Sequence, residues 1–404
     1  MTGRFYFEED APGIDWEGRG TLVVANPEWI ARDPATARAA IAALPPLPAH
    51  IWVATSGSSI DAPGRLRWVA LSTEAFLASA RAVNAHLSST AADTWAHALP
   101  VFHVGGLGIL ARAYLSGGRV RAAVAGRWDA ETFCARVRDA GATLSALVPS
   151  QVHDLVSARL AAPPSLRAVV IGGAAFDPDL HRAARALGWP CLPSYGLTET
   201  CSQVATAALT SLERPDRPTI LPVLGHASIR ADVAGSLSVR AASLLTCVAD
   251  WDGASARVSD PKRDGWLETE DVGRVDLAGV EVFGRATESV KVLGELVSLP
   301  RVEARIRRWV DAARPAGGAP ADLAIVALPH ARRGHELVLV LGGGDPAEAV
   351  RLAPALAAFC AEALLPYERI GRIAWTERIP RTPLGKCQRA LLAHQMGFET
   401  GPDR

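Results

Sequence analysis

Short apolar runs that end at small or helix-breaking residues alternate with helically spaced segments from about residue 50 to residue 200. A buried strand reads as such a run, whereas apolar residues three and four apart indicate a helix. The strands and helices predicted in this way are, in chain order, 51–54, 73–87, 144–148, 168–171 and 177–187. Because strands and helices alternate, this part of the chain is predicted to form a layered α/β domain.

The pattern changes after about residue 220. Alternating segments broken by glycine, at 236–240, 273–276 and 280–283, predict a small antiparallel β region. After residue 284 follow two predicted strands, a glycine turn and a helix, at 323–328, 336–341, 342–344 and 350–365. The predicted fold class is therefore α/β, with a large N-terminal layered α/β domain that includes a β subdomain (1–284) and a small mobile α+β C-terminal domain (288–404).

Composition limits the classes of function. The chain has 404 residues, of which 49% are hydrophobic, enough for two domains with cores. Its 42 basic and 42 acidic residues leave no net charge, so nothing favours nucleic-acid binding. The 6 cysteines show no C-x-x-C spacing, which argues against a zinc site or disulfides. Without a signal peptide or a long apolar run, a cytoplasmic protein with no membrane span is predicted.

The segment 192–203 carries the strongest chemical motif. Tyr195 and Gly196 are predicted to form a tight turn directly before Thr198 and Glu199. The Thr198 hydroxyl can donate to a phosphate oxygen, and the Glu199 carboxylate can hold Mg²⁺, which prefers oxygen ligands. Taken alone, such a short motif is more often an ordinary polar turn.

Two further segments could contact a nucleotide. A loop rich in hydroxyl groups follows the first predicted strand, and a loop of this kind can surround phosphates with backbone N–H groups. This loop lacks the G-x-x-x-x-G-K-[ST] pattern of the common nucleotide-binding loop. Taken alone it is weak evidence, because most Ser/Gly loops do not bind phosphate. A side-chain-poor segment after strand 168–171 could support a flat adenine ring, or be a simple strand-to-helix turn. The residues of the two segments are Thr55, Ser56, Gly57, Ser58 and Ser59, and Gly172, Gly173 and Ala174.

Four single residues complete the set of candidates. His103 stands among apolar residues, where a structural histidine is more common than one in a pocket wall. Asp271, predicted to follow a turn, could accept the hydroxyls of a ribose, and Arg285 could reach the same ribose or the phosphates. Lys386 is presented by a rigid loop with two prolines, from which it could neutralise charge at a phosphoryl centre.

Together and in this order, the motifs resemble the adenylate-forming superfamily of acyl-CoA synthetases, adenylation domains and luciferases. The resemblance covers roughly residues 50–395. It is strongest to o-succinylbenzoate–CoA ligases of menaquinone synthesis, in the runs 100–107, 110–118 and 195–204 and in the Thr287-Glu288 pair. It implies ATP, Mg²⁺ and coenzyme A, with a small carboxylic acid as substrate.

The resemblance also implies a role for each candidate. The first half-reaction would form an acyl-adenylate, and a rotation of the C-terminal domain about Thr287 would then admit the CoA thiol. Lys386 would contact the carboxylate and the α-phosphate, and Glu199 would hold Mg²⁺. Thr198 and residues 55–59 would bind the phosphates, and Asp271 and Arg285 the ribose. His103 would line the acyl pocket, and the remaining nucleotide contacts would come from Gly172, Gly173, Ala174, Tyr195 and Gly196.

Two departures from the family pattern leave alternatives open. The end of the phosphate loop, 60–67, lacks the usual lysine, for which Arg65 or Arg67 could substitute. Glu270 stands where a glycine normally precedes the ribose aspartate. The alternatives are a CoA ligase for another aryl or medium-chain acid, an enzyme that loads a carrier protein, and a non-catalytic nucleotide-binding paralogue.

Overall fold

The structure, a computed structural model, describes residues 14–55, 66–124, 126–214, 216, 218–313, 322–343, 346–381 and 387–398. The chain divides into two compact units. Unit 1 comprises Met1–Thr269 and Gly273–Val282, and unit 2 comprises Glu270–Val272 and Phe283–Arg404.

The helices among the described residues are α1 (Pro27–Arg32), α2 (Pro34–Ala42), α3 (Thr73–Leu87), α4 (Val104–Ser116), α5 (Ala130–Ala140), α6 (Pro149–Ser157), α7 (Pro178–Ala186), α8 (Leu299–Ala313), α9 (Pro346–Ala363) and α10 (Arg389–Gln395). Short 3-10 turns occur at Thr198–Thr200, Leu209–Glu213 and Ala286–Glu288. The strands are β1 (Thr21–Val24), β2 (His50–Thr55), β3 (Leu66–Ser72), β4 (Thr94–His97), β5 (Arg119–Ala122), β6 (Leu144–Leu147), β7 (Ala168–Ile171), β8 (Cys191–Leu197), β9 (Ser202–Thr206), β10 (Ala227–Ala231), β11 (Ser236–Ala241), β12 (Cys247–Trp251), β13 (Ala256–Ser259), β14 (Lys262–Arg263), β15 (Trp266–Asp276), β16 (Gly279–Arg285), β17 (Ser289–Val292), β18 (Glu295–Ser298), β19 (Asp322–His330), β20 (Gly334–Gly342) and β21 (Ile370–Thr376).

A mostly parallel sheet in unit 1 positions most of the candidate residues. Its strand order is β5-β4-β6-β7-β8-β9, parallel from β5 to β8, with β9 antiparallel to β8. Every side chain of β6 and β7 is buried, as expected for strands covered on both faces. Ile171 pairs with Pro193, which places the segment after β7 beside the middle of β8.

A second sheet of unit 1 has the order β1-β2-β3-β12-β13. Helix α3 shows why the local sequence folds as predicted. The Ser72 hydroxyl accepts from the Ala75 N–H at 3.0 Å and caps the helix start. The apolar side of α3, including Phe76, Val83 and Leu87, is buried in the core of the unit. The predicted limits of α3 and β7 are both confirmed, and so is the layered α/β class.

The β subdomain forms a sheet in the order β10-β11-β15-β14, with β16 beside β15. All three predicted segments fall in strands, but β15 is much longer than the predicted segment 273–276. Unit 2 contains the β17-β18 hairpin and the sheet β19-β20-β21, which packs with α8 and α9 around an apolar core. Helix α9 begins four residues before its predicted start at 350 and ends two residues before its predicted end at 365.

Two further features concern the cysteine thiols and the length of the helices. All six cysteines are free thiols, and all but Cys247 are buried. Burial raises the pKa of the Cys201 thiol well above its usual value, so this group stays protonated and behaves as a small apolar side chain. Within the described parts of the chain, no helix is long and apolar enough to cross a membrane.

Candidate functional site

The turn between β8 and β9 lies three residues later than predicted. Tyr195 and Gly196 belong to β8, and the chain reverses through the 3-10 turn Thr198–Thr200. Cys201 and Ser202 then take positive φ angles of 51° and 103°. The prediction of a tight turn at 195–196 is wrong because these residues continue the ladder with β9.

Two features fix the shape of this turn. The Thr200 hydroxyl accepts from the Leu197 N–H at 2.9 Å and donates to the Ser202 carbonyl at 2.7 Å. A Cβ atom on Gly196 would lie 1.8 Å from the same Ser202 carbonyl oxygen. Only glycine permits so close an approach of two backbone segments, so Gly196 sets the β8–β9 crossing.

Thr198 and Glu199 lie on this rigid turn and are both partly exposed. The Glu199 carbonyl accepts from the Leu245 N–H at 2.8 Å, which ties the turn to the segment that enters β12. Among the described residues, no group of three or more His, Cys, Asp or Glu side chains could hold a metal. One carboxylate beside substrate phosphates is nevertheless how Mg²⁺ is often bound, and the oxygen donors of Thr198 and Glu199 suit it.

The segment after β7 forms a ledge beside β8, the strand that leads into this turn. Gly173, with φ of +84°, and Ala174 are exposed, and both carry little or no side chain. The Ser194 hydroxyl donates to the Ile171 carbonyl at 2.9 Å and links the two strand ends. The structure thus places the predicted adenine-contact segment, including Gly172, next to β8, which carries Tyr195 and Gly196.

His103 directly precedes helix α4 at its N-cap position, but its side chain makes no capping bond. Its Nε2 atom is buried and has no hydrogen-bond partner in the part of the chain that the structure describes. Burial lowers the pKa of the His103 imidazole to about 4, so the ring is neutral at pH 7. The reading of His103 as a satisfied structural group is therefore not supported by these contacts.

Arg112, inside helix α4, was not predicted as a site residue. It is 1% exposed, and its Nη2 atom donates to the Ser202 hydroxyl at 3.2 Å. Its guanidinium lies 5.5 Å from the centre of the Trp95 ring, and its Nε is buried without a partner among the described residues. No described carboxylate pairs with it. A lone arginine within an apolar helical run was the signal that sequence reasoning missed.

Burial lowers the pKa of Arg112 to about 10, so the guanidinium still carries its charge at neutral pH. A buried cation without a counter-ion is costly, and proteins usually pair it. Its neighbour Ser202 stands three residues after Glu199. Arg112 therefore places a positive charge, which no described carboxylate pairs with, against Ser202, which directly follows the turn that carries Thr198 and Glu199.

Thr55 and Arg67 are paired at the end of β2 and the start of β3, on either side of the connecting residues 56–65. The Thr55 hydroxyl donates to the Arg67 carbonyl at 3.2 Å. The Arg67 guanidinium donates twice to Asp250, at 2.6 and 3.1 Å. This ion pair argues against Arg67 as the substitute for the missing lysine. The other loop candidates, Ser56, Gly57, Ser58, Ser59 and Arg65, lie outside the described residues.

Unit 2 brings together the two ribose candidates. Asp271 is 5% exposed, and its Oδ1 lies 3.4 Å from Arg285 Nε. Glu270 Oε2 lies 3.8 Å from Arg285 Nη1. Asp271 stands in the middle of β15, which begins directly after a turn at Asp264 and Gly265, as predicted. Lys386 lies outside the described residues.

Comparison with known proteins agrees with this geometry. The family model of AMP-binding enzymes matches residues 55–234. The 2-succinylbenzoate–CoA ligase of Bacillus licheniformis is 26% identical over 309 residues, which is 74% of this chain and 61% of that protein. The Bacillus subtilis o-succinylbenzoate CoA synthetase has been solved with the acyl-adenylate OSB-AMP (23% identity, TM-score 0.69) and with ATP and magnesium ion (23% identity, TM-score 0.67). The alignments cover 88% and 84% of this chain, and 70% and 68% of those chains.

The fold and the family match narrow the class of protein. Residues 55–234 match the family of AMP-binding enzymes, and the fold is similar to that of the Bacillus subtilis o-succinylbenzoate CoA synthetase. In sequence, the chain is similar to the 2-succinylbenzoate–CoA ligases, of which it spans about three fifths of the length, 61% in Bacillus licheniformis and 60% in Geobacillus kaustophilus.

Proposed function

We propose that the chain is an ATP-dependent acid–CoA ligase that works through an acyl-adenylate. In the first half-reaction, a substrate carboxylate oxygen attacks the α-phosphorus of ATP, and the bond to pyrophosphate breaks. In the second, the CoA thiol attacks the acyl carbon and AMP leaves. Charge collects on phosphoryl oxygens, so the protein contributes chiefly position and electrostatics. Mg²⁺ would neutralise part of the phosphate charge.

The described residues fit this division of labour. Thr198 and Glu199 would hold phosphate and Mg²⁺ on a turn that cannot shift, because Thr200 and Gly196 fix its shape. The ledge that ends at Ala174 would receive the adenine ring. Asp271 and Arg285 would bind the ribose. Lys386, which lies outside the described residues, would contact the reacting carboxylate and the α-phosphate.

We further propose that the acid carries a second carboxylate, as o-succinylbenzoate does, which would place the enzyme in menaquinone synthesis. The observation that carries this proposal is Arg112, a fully buried cation that no described carboxylate neutralises. A carboxylate bound beside Arg112 and the Ser202 hydroxyl would supply the missing counter-charge, and the planar guanidinium matches carboxylate geometry. An acid with a single carboxylate leaves that cation unpaired.

A panel of acids offered with ATP, Mg²⁺ and CoA tests the proposal, with thioesters identified by mass spectrometry. We expect o-succinylbenzoate to exceed benzoate and octanoate by orders of magnitude in kcat/KM, because a polar site rejects analogues that leave its groups unpaired. A preference for octanoate would overturn the choice of acid and leave the ligase chemistry intact. ATP–pyrophosphate exchange without a CoA product would indicate a carrier-loading enzyme, and no exchange a non-catalytic paralogue.

A further inference from the structure

Glu288 ends the 3-10 turn Ala286–Glu288, which follows β16. The turn is closed by a hydrogen bond from the Ser289 N–H to the Ala286 carbonyl. The Glu288 carboxylate Oε1 lies 3.3 Å from Arg389 Nη1, and both side chains are mostly buried. A turn of three residues is thus connected by its last side chain to a residue 101 positions away in sequence.

Arg389 is the first residue of α10, and its guanidinium contacts three separate elements of unit 2. Besides Glu288 on the turn, its Nη2 donates to Glu303 Oε1 on α8 at 2.7 Å. Its Nε donates to the Ile325 carbonyl on β19 at 3.1 Å. Burial alone would lower the pKa of Arg389, but the nearby carboxylates raise it, so the charge is held firmly.

The consequence concerns the backbone. Glu303 and Ile325 belong to the packed body of unit 2, so Arg389 fixes Glu288 to that same body. A residue held in this way cannot absorb the large φ/ψ change that a hinge requires. Any rotation carried by this turn is therefore confined to the residues before Glu288. Buried ion pairs of this kind add little net stability compared with apolar packing, but in some proteins they select one conformation.

We propose that Glu288 and Arg389 are positioning residues that fix the unit 2 side of the hinge, so that rotation occurs at Thr287 and not beyond it. The inference rests on the proposed two-step function. The two residues act on the turn and touch no substrate. Loss of the link lets the turn move independently of the unit 2 body, so the two half-reactions, which need different arrangements, lose their normal balance.

The test compares Glu288→Gln with a matched control, Glu368→Gln, in the full chain. Glu368 is also buried and pairs with Arg305, 3.0 Å from Nη1 to Oε2, and its described partners, Arg305 and the Leu365 N–H, are not part of the turn. Adenylation is followed by pyrophosphate exchange, and thioester formation is followed from supplied acyl-adenylate. Hydrogen exchange of the Ser289 amide reports on the turn directly and does not depend on activity.

We expect Glu288→Gln to change the ratio of the two half-reaction rates by roughly tenfold, since small misplacements of reacting groups are costly. Ser289 exchange should become faster, Glu288→Asp should restore both readouts in part, and Glu368→Gln should alter neither. Wild-type exchange at Ser289 in Glu288→Gln, or the same ratio in the two Gln variants, would overturn the inference. If the wild type performs neither half-reaction, the proposed function fails, and the exchange experiment alone decides whether Glu288 holds the turn.

Discussion

Arg112 in unit 1 and three arginines in unit 2 differ in their partners. In unit 2, each of the partly buried Arg305, Arg381 and Arg389 pairs with at least one carboxylate, from Glu368, Asp322 and Glu303 respectively. In unit 1, Arg112 is more deeply buried than any of the three, yet no described carboxylate pairs with it. Arg389 connects α10 with α8 and β19, whereas the described contacts of Arg112 are with the Ser202 hydroxyl and the Trp95 ring.

This contrast distinguishes arginines whose charge is neutralised by carboxylates of the protein from one whose charge no described carboxylate neutralises. An uncompensated buried cation costs free energy in the unliganded protein. It is tolerated where a bound anion restores the balance, and the binding energy then includes the relief of that cost. We therefore interpret the paired arginines of unit 2 as structural, and the substrate-binding role of Arg112 remains our proposal.

The largest expected effect follows from replacing Arg112. In Arg112→Met, kcat/KM for o-succinylbenzoate should fall by about 10⁴-fold, because its second carboxylate loses the cationic partner proposed for it. The value for benzoate, which lacks that carboxylate, should change by less than about threefold on the same argument. Release of AMP at steady state measures both. The exposed Arg121→Met serves as the control, and an equal loss for both acids would contradict the assigned role.

Stability should show the reverse order. Arg389→Met removes the cation that the mostly buried Glu303 and Glu288 carboxylates contact and should cost about 3–5 kcal/mol, whereas Arg112→Met removes a cation that no described carboxylate pairs with and should cost close to nothing. Calorimetry of the full chain, with hydrogen exchange of the β19–β20 amides as the report on unit 2, measures the difference. If Arg112→Met were as destabilised as Arg389→Met, the distinction between the units would not hold.

A smaller effect compares two buried side chains at α4: Arg112 within the helix keeps its charge, and His103, directly before it, does not. Burial lowers the pKa of His103 from 6.5 to about 4. Between these values the unfolded chain binds the extra proton, so stability is full above pH 6.5 and falls as the pH drops. His103→Gln should remove about 1–2 kcal/mol of this loss at pH 5 and change nothing at pH 8. Urea unfolding at both pH values checks it; identical pH dependence in the two proteins would disprove the assignment.

Much of the fold was readable from sequence where one local signal dominated. Ser72 before an apolar helical stripe predicted α3 with its correct limits, and a run of β-branched residues ended by glycine predicted β7. These succeed because capping and burial act over neighbouring residues.

The rest depends on partners far away in sequence. Whether Tyr195 and Gly196 turn or continue a strand is decided by their pairing with β9. Whether Arg67 is available is decided by Asp250, which stands 183 residues later on a neighbouring strand. The significance of Arg112 arises from what does not surround it, and no local pattern contains that information.

The close approach at Gly196 also limits how such chains can diverge. With the Ser202 carbonyl oxygen 1.8 Å from where a side chain would begin, even alanine forces the β8–β9 crossing apart. Substitution of Gly196 is therefore not tolerated unless the following turn changes its conformation at the same time. In a library of randomised variants selected for folding, position 196 should remain glycine, even in variants that have lost Thr198, Glu199 and activity.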